Sequence, residues 1–266
     1  MTLFGHYEVD SWLRRRNPTA KLAAHLVLSL LLTAVFDPLT PLTFLVAALA
    51  LGRLGARIPV RLFLTALAPV ALLGASLVLS YALFATGSRS AWGPFAVTAQ
   101  GAIIGLSLAE RGVAIAAFTL VFVLSTDPTS LVRSLVQQAR LPAHIAYPAL
   151  AAYRFLPLLQ DDYETIRLAR RLRGQGRQRG PLAALRERVD LLVPLLVGAI
   201  RRAERVAVAM DSRGFAARRP RTHYRLTPFE AADAWMLAGT VALGGGLLAL
   251  SATLGSLRLW LGGFPT

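Results

Sequence analysis

The sequence predicts an all-α integral membrane protein of about five transmembrane helices, with a cytoplasmic insert of amphipathic helices before the last span. Three observations predict it. Hydrophobic residues make up 55% of the 266 and charged residues 16%, with a mean hydropathy of +0.53, too apolar for an ordinary soluble domain. Apolar runs of spanning length recur, residues 62–86 being 25 positions without a charge. The basic excess is bunched: residues 127–225 hold nineteen Arg against eight acidic residues, +11 of the formal +15. So basic a stretch can be the footprint of phosphate binding. Here it lies between membrane spans and carries no nucleic-acid motif, so the positive-inside rule accounts for it and no nucleic-acid partner is expected.

Taken in order, residues 10–21 are basic and Pro-broken, and Asp10-Ser11 can cap a short interfacial helix on the cytoplasmic side. Arg14, Arg15, Arg16 and Lys21 before an apolar run imitate a secretory signal, but no small-x-small cleavage site follows and more spans do. Residues 22–36 and 42–51 are apolar, separated by Asp37-Pro38-Leu39-Thr40-Pro41. Fifteen residues of helix give only ~22 Å, short of the ~30 Å hydrocarbon core. Basic clusters flank the pair on both sides, which favours two short helices meeting at an outer Pro turn over one broken helix.

Residues 62–86 form a span containing Pro69, and residues 87–94 an outer loop with Arg89 and Trp92. Residues 100–125 return inward, with Glu110-Arg111 inside. Either this is an intramembrane ion pair, or the span starts near Arg111 after an interfacial turn; the second is preferred, because adjacent residues on a helix do not face each other. A last span covers residues 231–254, with Gly244, Gly245 and Gly246 at its middle. The division expected is residues 1–126 as a membrane region of about four spans, 127–228 as the basic cytoplasmic region and 229–266 as the C-terminal span, with the C-terminus outside.

Within the basic region, Thr126 or Asp127 can cap a helix with Pro128 in its first turn, carrying Leu131, Leu135 and Val136 on one edge. A second helical piece, interrupted by Pro148 and Pro157, places Leu159, Tyr163, Ile166, Ala169 and Arg173 at steps of three or four. Gly174, Gly176 and Gly180-Pro181 then make a turn. The third piece has the clearest stripe, Leu192, Leu196, Ala199, Ala203, Val206 and Met210, with Arg201, Arg202 and Arg205 off the line. The second and third pieces end alike, in Leu172-Arg173-Gly174 and Ser212-Arg213-Gly214. Gly just past the last turn readily takes the left-handed conformation that stops a helix. Each end thus offers a cation at a helix tip, where the dipole favours it.

The chain has no Cys and four dispersed His, so thiolate chemistry and a metal site are not expected. It lacks a G-x-x-x-x-G-K-[ST] loop, a G-x-S-x-G elbow and an H-E-x-x-H pair. No cofactor is expected in the chain itself, and ATP would have to be bound elsewhere. Glu110 and Asp233 are the carboxylates through which a proton-coupled carrier or polytopic membrane enzyme would work. Asp233 in a first helical turn is more simply a dipole partner. A third reading is an anchor that binds anionic lipid through the Arg-rich insert.

Asp10-Ser-x-Leu13 with Asn17-Pro18 and Lys21, Thr126-Asp127-Pro128, Tyr153-Arg-Phe-Leu-Pro-Leu-Leu159 and the two Arg-Gly ends occur in one order over almost the whole chain. In this order they resemble the transmembrane T component of energy-coupling factor (ECF) transporters, which include the cobalt-uptake permeases. The resemblance implies a non-catalytic subunit in the cell membrane that joins two ABC ATPase subunits to a small substrate-binding membrane subunit, for uptake of a vitamin or transition-metal ion. It implies that Arg173 and Arg213 dock on the ATPases, flanked by Leu172, Gly174, Ser212 and Gly214. The family's commoner triplet is Ala-Arg-Gly; Leu172 and Ser212 depart from it.

Overall fold

The structure, a computed structural model, describes residues 11–35, 37, 39–84, 90–92, 95–174, 180–215 and 225–253. These residues are almost entirely helical and fall into two compact units, residues 1–134 with 227–266, and residues 135–226.

The first unit is built from α1 (Pro18–Thr33), α2 (Leu39–Ala50) with a π-helical turn (Leu51–Gly55), α3 (Val60–Phe84), α4 (Ala99–Ser125), the start of α5 (Pro128–Gln138) and α8 (Ala231–Thr253). Among the described residues, α3, α4 and α8 are long and apolar enough to cross a membrane, and α1 and α2 are shorter apolar helices. α1 begins where Asn17 Oδ1 accepts from the Thr19 N–H at 3.0 Å, with Pro18 at the first helical position. The interfacial helix expected from Asp10-Ser11 is not seen: residues 12–16 form turns, and Asp10 lies outside the described residues. Ser11 spends its side chain and carbonyl on the Arg14 N–H, a local bond that competes with helix formation.

α1 and α2 are separate helices that run out and back, since the Leu13 N–H donates to the Gly55 carbonyl at 3.2 Å. This brings Arg14, Arg15, Arg16 and Lys21 to the same end of the bundle as Arg53, Arg57 and Arg61. The turn between the helices is packed against its neighbours. Asp37 is 1% exposed, and its Oδ2 accepts from the Thr40 N–H, the Thr40 hydroxyl and the Ser251 hydroxyl. Arg111 donates to the Val35 carbonyl. Irregular backbone inside an apolar bundle survives where protein supplies partners for its polar groups, and Arg111 of α4 and Ser251 of α8 supply them to the Val35 carbonyl and to Asp37 Oδ2. Phe36 and Pro38 lie outside the described residues.

α3 and α4 form a tight antiparallel pair. A Cβ on Gly105 would sit 2.7 Å from the Val78 Cα, so only Gly lets the two backbones approach this closely. α4 is continuous, which corrects the expected break near Arg111: the Arg stays inside the helix because it has a carbonyl partner on the α1–α2 turn. The expected loop at residues 87–94 includes part of a two-stranded ribbon, β1 (Ser90–Trp92) paired antiparallel with β2 (Phe95–Val97); Arg89 lies outside the described residues. The core contains Leu32, Phe44, Ile58, Phe63 and Phe118, with Phe44 and Phe118 edge to face at 6.4 Å.

Asp233 is the latch between α8 and α1. It is 2% exposed; its Oδ1 accepts from the Asn17 N–H and its Oδ2 from the Glu230 N–H, both at 3.0 Å. The side-chain amide of Asn17 also donates to the Pro228 carbonyl. The Thr19 hydroxyl donates to Ser134. The chain therefore leaves this unit at Ser134 and rejoins it at Thr227 at one end, the end where the basic clusters of residues 14–21 and 53–61 lie.

The second unit contains α6 (Ala143–Leu172) and α7 (Pro181–Ser212). Pro148 and Pro157 do not interrupt α6, which runs 30 residues through both. A proline removes one intrahelical hydrogen bond, a loss a long helix absorbs as a local bend. Gly180, at φ +131°, starts α7, and Gly176 lies outside the described residues.

Candidate functional site

The two tips have one local geometry. At the end of α7, Gly214 takes φ +74°, its N–H donates to the Asp211 carbonyl at 2.9 Å, and the Phe215 N–H donates to the Met210 carbonyl at 3.1 Å. This pair of bonds around a left-handed Gly is a Schellman stop. At the end of α6, Gly174 takes φ +77° and donates to the Arg171 carbonyl at 3.0 Å, the same inner bond. Arg173 and Arg213 are the cap residues of these stops, at φ −81° and −87°. The stop leaves each guanidinium outside the helix at its negative pole.

All six residues of the two triplets are exposed, Leu172 to 91%. Among the described residues neither the Arg173 nor the Arg213 side chain has a hydrogen bond or ion pair. A planar fork of five donors held at a rigid tip is suited to bidentate contact with carboxylates or carbonyls of another protein. The tip of α7 is braced within its own unit, where the Phe215 ring meets Tyr147 of α6 edge to face at 6.2 Å.

Arg202 and Asp162 tie the two helices together, Nη2 to Oδ2 at 2.9 Å. Arg173 lies eleven residues beyond Asp162, and Arg213 eleven beyond Arg202. The ion pair is thus equally far from both tips, ~16 Å along each axis at the helical rise. Sequence reasoning missed it, although an acidic residue and an Arg at equal distances from two matching helix ends were a readable signal.

The stripe on α7 is only partly covered. The half-buried positions are Leu195, Ala199, Arg202, Val206 and Met210, whereas Leu192, Leu196 and Ala203 stay exposed. The line is rotated because Arg202, expected off the stripe, turns inward to reach Asp162. Leu192 and Leu196, at 55% and 61% exposure, join Val193, Val197 and Ile200 in an apolar surface without cover among the described residues. The basic positions Arg218, Arg219 and Arg221 lie outside the described residues.

Comparison with known proteins supplies the context. Residues 9–224 match the CbiQ family, cobalt transport protein. The energy-coupling factor transporter transmembrane protein EcfT of Limosilactobacillus fermentum is 30% identical over 252 residues, covering 90% of this chain and 93% of the relative. The protein of the same name from Lacticaseibacillus paracasei is 32% identical, with 93% and 97% covered, and that from Staphylococcus aureus 28% identical, with 91% of each covered. With its apolar bundle and paired helix tips, the chain belongs to the CbiQ family and to the transmembrane T components of energy-coupling factor transporters.

Proposed function

We propose that this chain couples ATP hydrolysis in two ABC-type ATPase subunits to a small substrate-binding membrane subunit, for uptake of a vitamin or a transition-metal ion. Arg173 and Arg213 dock one ATPase each, with Leu172, Gly174, Ser212 and Gly214 setting the shape of the two tips. ATP is bound and hydrolysed by the partners, and this chain carries no catalytic residue. The N-terminus and residues 127–228 face the cytoplasm and the C-terminus lies outside, in agreement with the gathering of basic residues at one end of the bundle.

The observation that carries this reading is the duplication of an exposed Arg, without a side-chain partner among the described residues, before a left-handed Gly with the same inner bond, in a unit that leaves and rejoins the bundle at its basic end. Closing and opening of the ATPases then moves the two tips, and the Asp162–Arg202 tie between α6 and α7 makes that motion a coupled one. The uncovered apolar surface of α7, Leu192 and Leu196 included, suits the membrane-side partner. Coupling of this kind requires the tips to bind the ATPase states differently. The carrier reading through Asp233 is disfavoured, since both oxygens of that carboxylate are engaged by backbone N–H groups.

Losing one partner of a buried charged contact at an interface costs about 2–5 kcal/mol. Arg173→Ala combined with Arg213→Ala, in the full chain co-expressed with its ATPases and substrate-binding subunit, is expected to leave a membrane-inserted protein that no longer co-purifies with the ATPases and no longer supports uptake. Retained uptake overturns the proposal.

A further inference from the structure

Near its Asp233 end, α8 shares with α1 and α4 a cavity of about 440 Å³, within the range of small-molecule sites. Its wall is largely apolar, with Trp12, Val121 and Trp235 among its lining residues. Arg16 and His25 also line it. The ion pair of Arg16 with Glu230 is long, at 3.9 Å, and Glu230 is largely exposed. Arg16 Nε and His25 Nδ1 are both buried and have no hydrogen-bond partner among the described residues. Buried polar atoms are ordinarily paired, so two orphans on residues that line one cavity call for ligand or water atoms there. The Arg16 guanidinium lies 5.0 Å from the Trp12 ring centroid, which holds the cation at the cavity rather than free in solution.

A cation at the end of an apolar slot, in a helical bundle of membrane-spanning length, matches one chemistry: an anionic head on an alkyl chain. We infer that this cavity binds a single anionic glycerophospholipid from the leaflet at the basic end of the bundle, its phosphate at Arg16 and one acyl chain between α1, α4 and α8. Docking of the ATPases plays no part in this site. The lipid would wedge α8 against α1 beside the Asp233 latch, and the membrane's anionic lipid content would then set how firmly that latch is held.

The test uses the full chain carrying Trp92→Phe and Trp260→Phe, so that Trp12 and Trp235 are the fluorophores, in phosphatidylcholine vesicles titrated with brominated-chain phosphatidylglycerol or brominated-chain phosphatidylcholine. Quenching by the glycerol lipid is expected to saturate, with its midpoint at about fivefold lower mole fraction than the choline lipid, the preference one surface cation supplies. Arg16→Gln should abolish the preference. A Cβ on Gly239, which lines the cavity, meets nothing within 4 Å, so Gly239→Leu should fill the space without disturbing packing and reduce quenching by both lipids. Equal quenching by the two lipids in the unsubstituted cavity means boundary lipid only, and quenching by neither means that protein fills the space. Either result overturns the inference, as does an Arg16→Gln chain that keeps the preference or a Gly239→Leu chain quenched as deeply as before.

Discussion

Gly214 is where the tip geometry can be tested without disturbing the rest of the molecule. A Cβ at this position meets no atom within 4 Å, so a substitution meets no steric clash with the surrounding fold. What remains is the backbone: an L residue held at φ +74° costs about 1–2 kcal/mol, with β-branched side chains at the upper end. Converted to populations, that is about 5- to 30-fold. In Gly214→Val the stop should therefore open about 5- to 30-fold more often, releasing the Gly214 N–H from Asp211 and the Phe215 N–H from Met210 and letting the Phe215 ring leave Tyr147. Amide hydrogen exchange on the purified chain should show protection at Phe215 falling by this factor, while the melting temperature drops by no more than the few degrees that about 1–2 kcal/mol of backbone strain can cost. ATPase co-purification should weaken in proportion. Gly214→Asn should stay within about twofold of the parent, since Asn tolerates the left-handed region. Parent-like protection in Gly214→Val, or an Asn variant as impaired as the Val one, would refute the claim that the left-handed stop aims Arg213.

The Asp162–Arg202 pair is partly exposed, with side chains at 38% and 27%, so a double-mutant cycle of Asp162→Asn and Arg202→Gln in thermal unfolding should give a coupling of only about 0.5–1 kcal/mol. Uptake should fall much further than stability, because the pair links the two tips; a proportionate loss of both would remove its role in coupling. Glu110→Gln with Asp233→Asn should cost about 1–3 kcal/mol of stability, mainly by facing one buried N–H at Asp233 with an amide NH₂, yet leave uptake per folded molecule within about twofold. Abolished uptake by correctly folded protein would instead establish the carrier reading.

Much of the site was legible because its determinants are local. A Gly after an Arg at the end of a periodic apolar run specifies both the stop and the cation it displays, and both stops appear where those residues stand. The α5 start was legible for the same reason: Asp127 Oδ2 accepts from the Ser130 N–H at 2.9 Å, the bond an N-cap carboxylate makes to the third helical residue. Three further readings turned on groups whose partners are distant in sequence. Arg111 looked like a helix boundary because Val35, 76 positions away, is not visible from its neighbours. Nothing around Asp37 signals its burial, because its partner Ser251 comes 214 residues later. Arg202 looked like a water-facing cation until α6 brought Asp162 against it.

Hydropathy, the bunching of Arg and the local chemistry of caps and stops determined by themselves that this chain is a helical membrane protein with two basic helix tips in one polar insert. These quantities depend on composition and on neighbours within a turn or two, which the linear order states in full. Only the tertiary structure decided that the short α1–α2 hairpin turns against Arg111 and Ser251, that Asp233 latches α8 to Asn17, and which line of α7 faces its partner helix. Each of those is a choice of which distant group pays the cost of burying a charge, and that choice is made only when the helices are side by side.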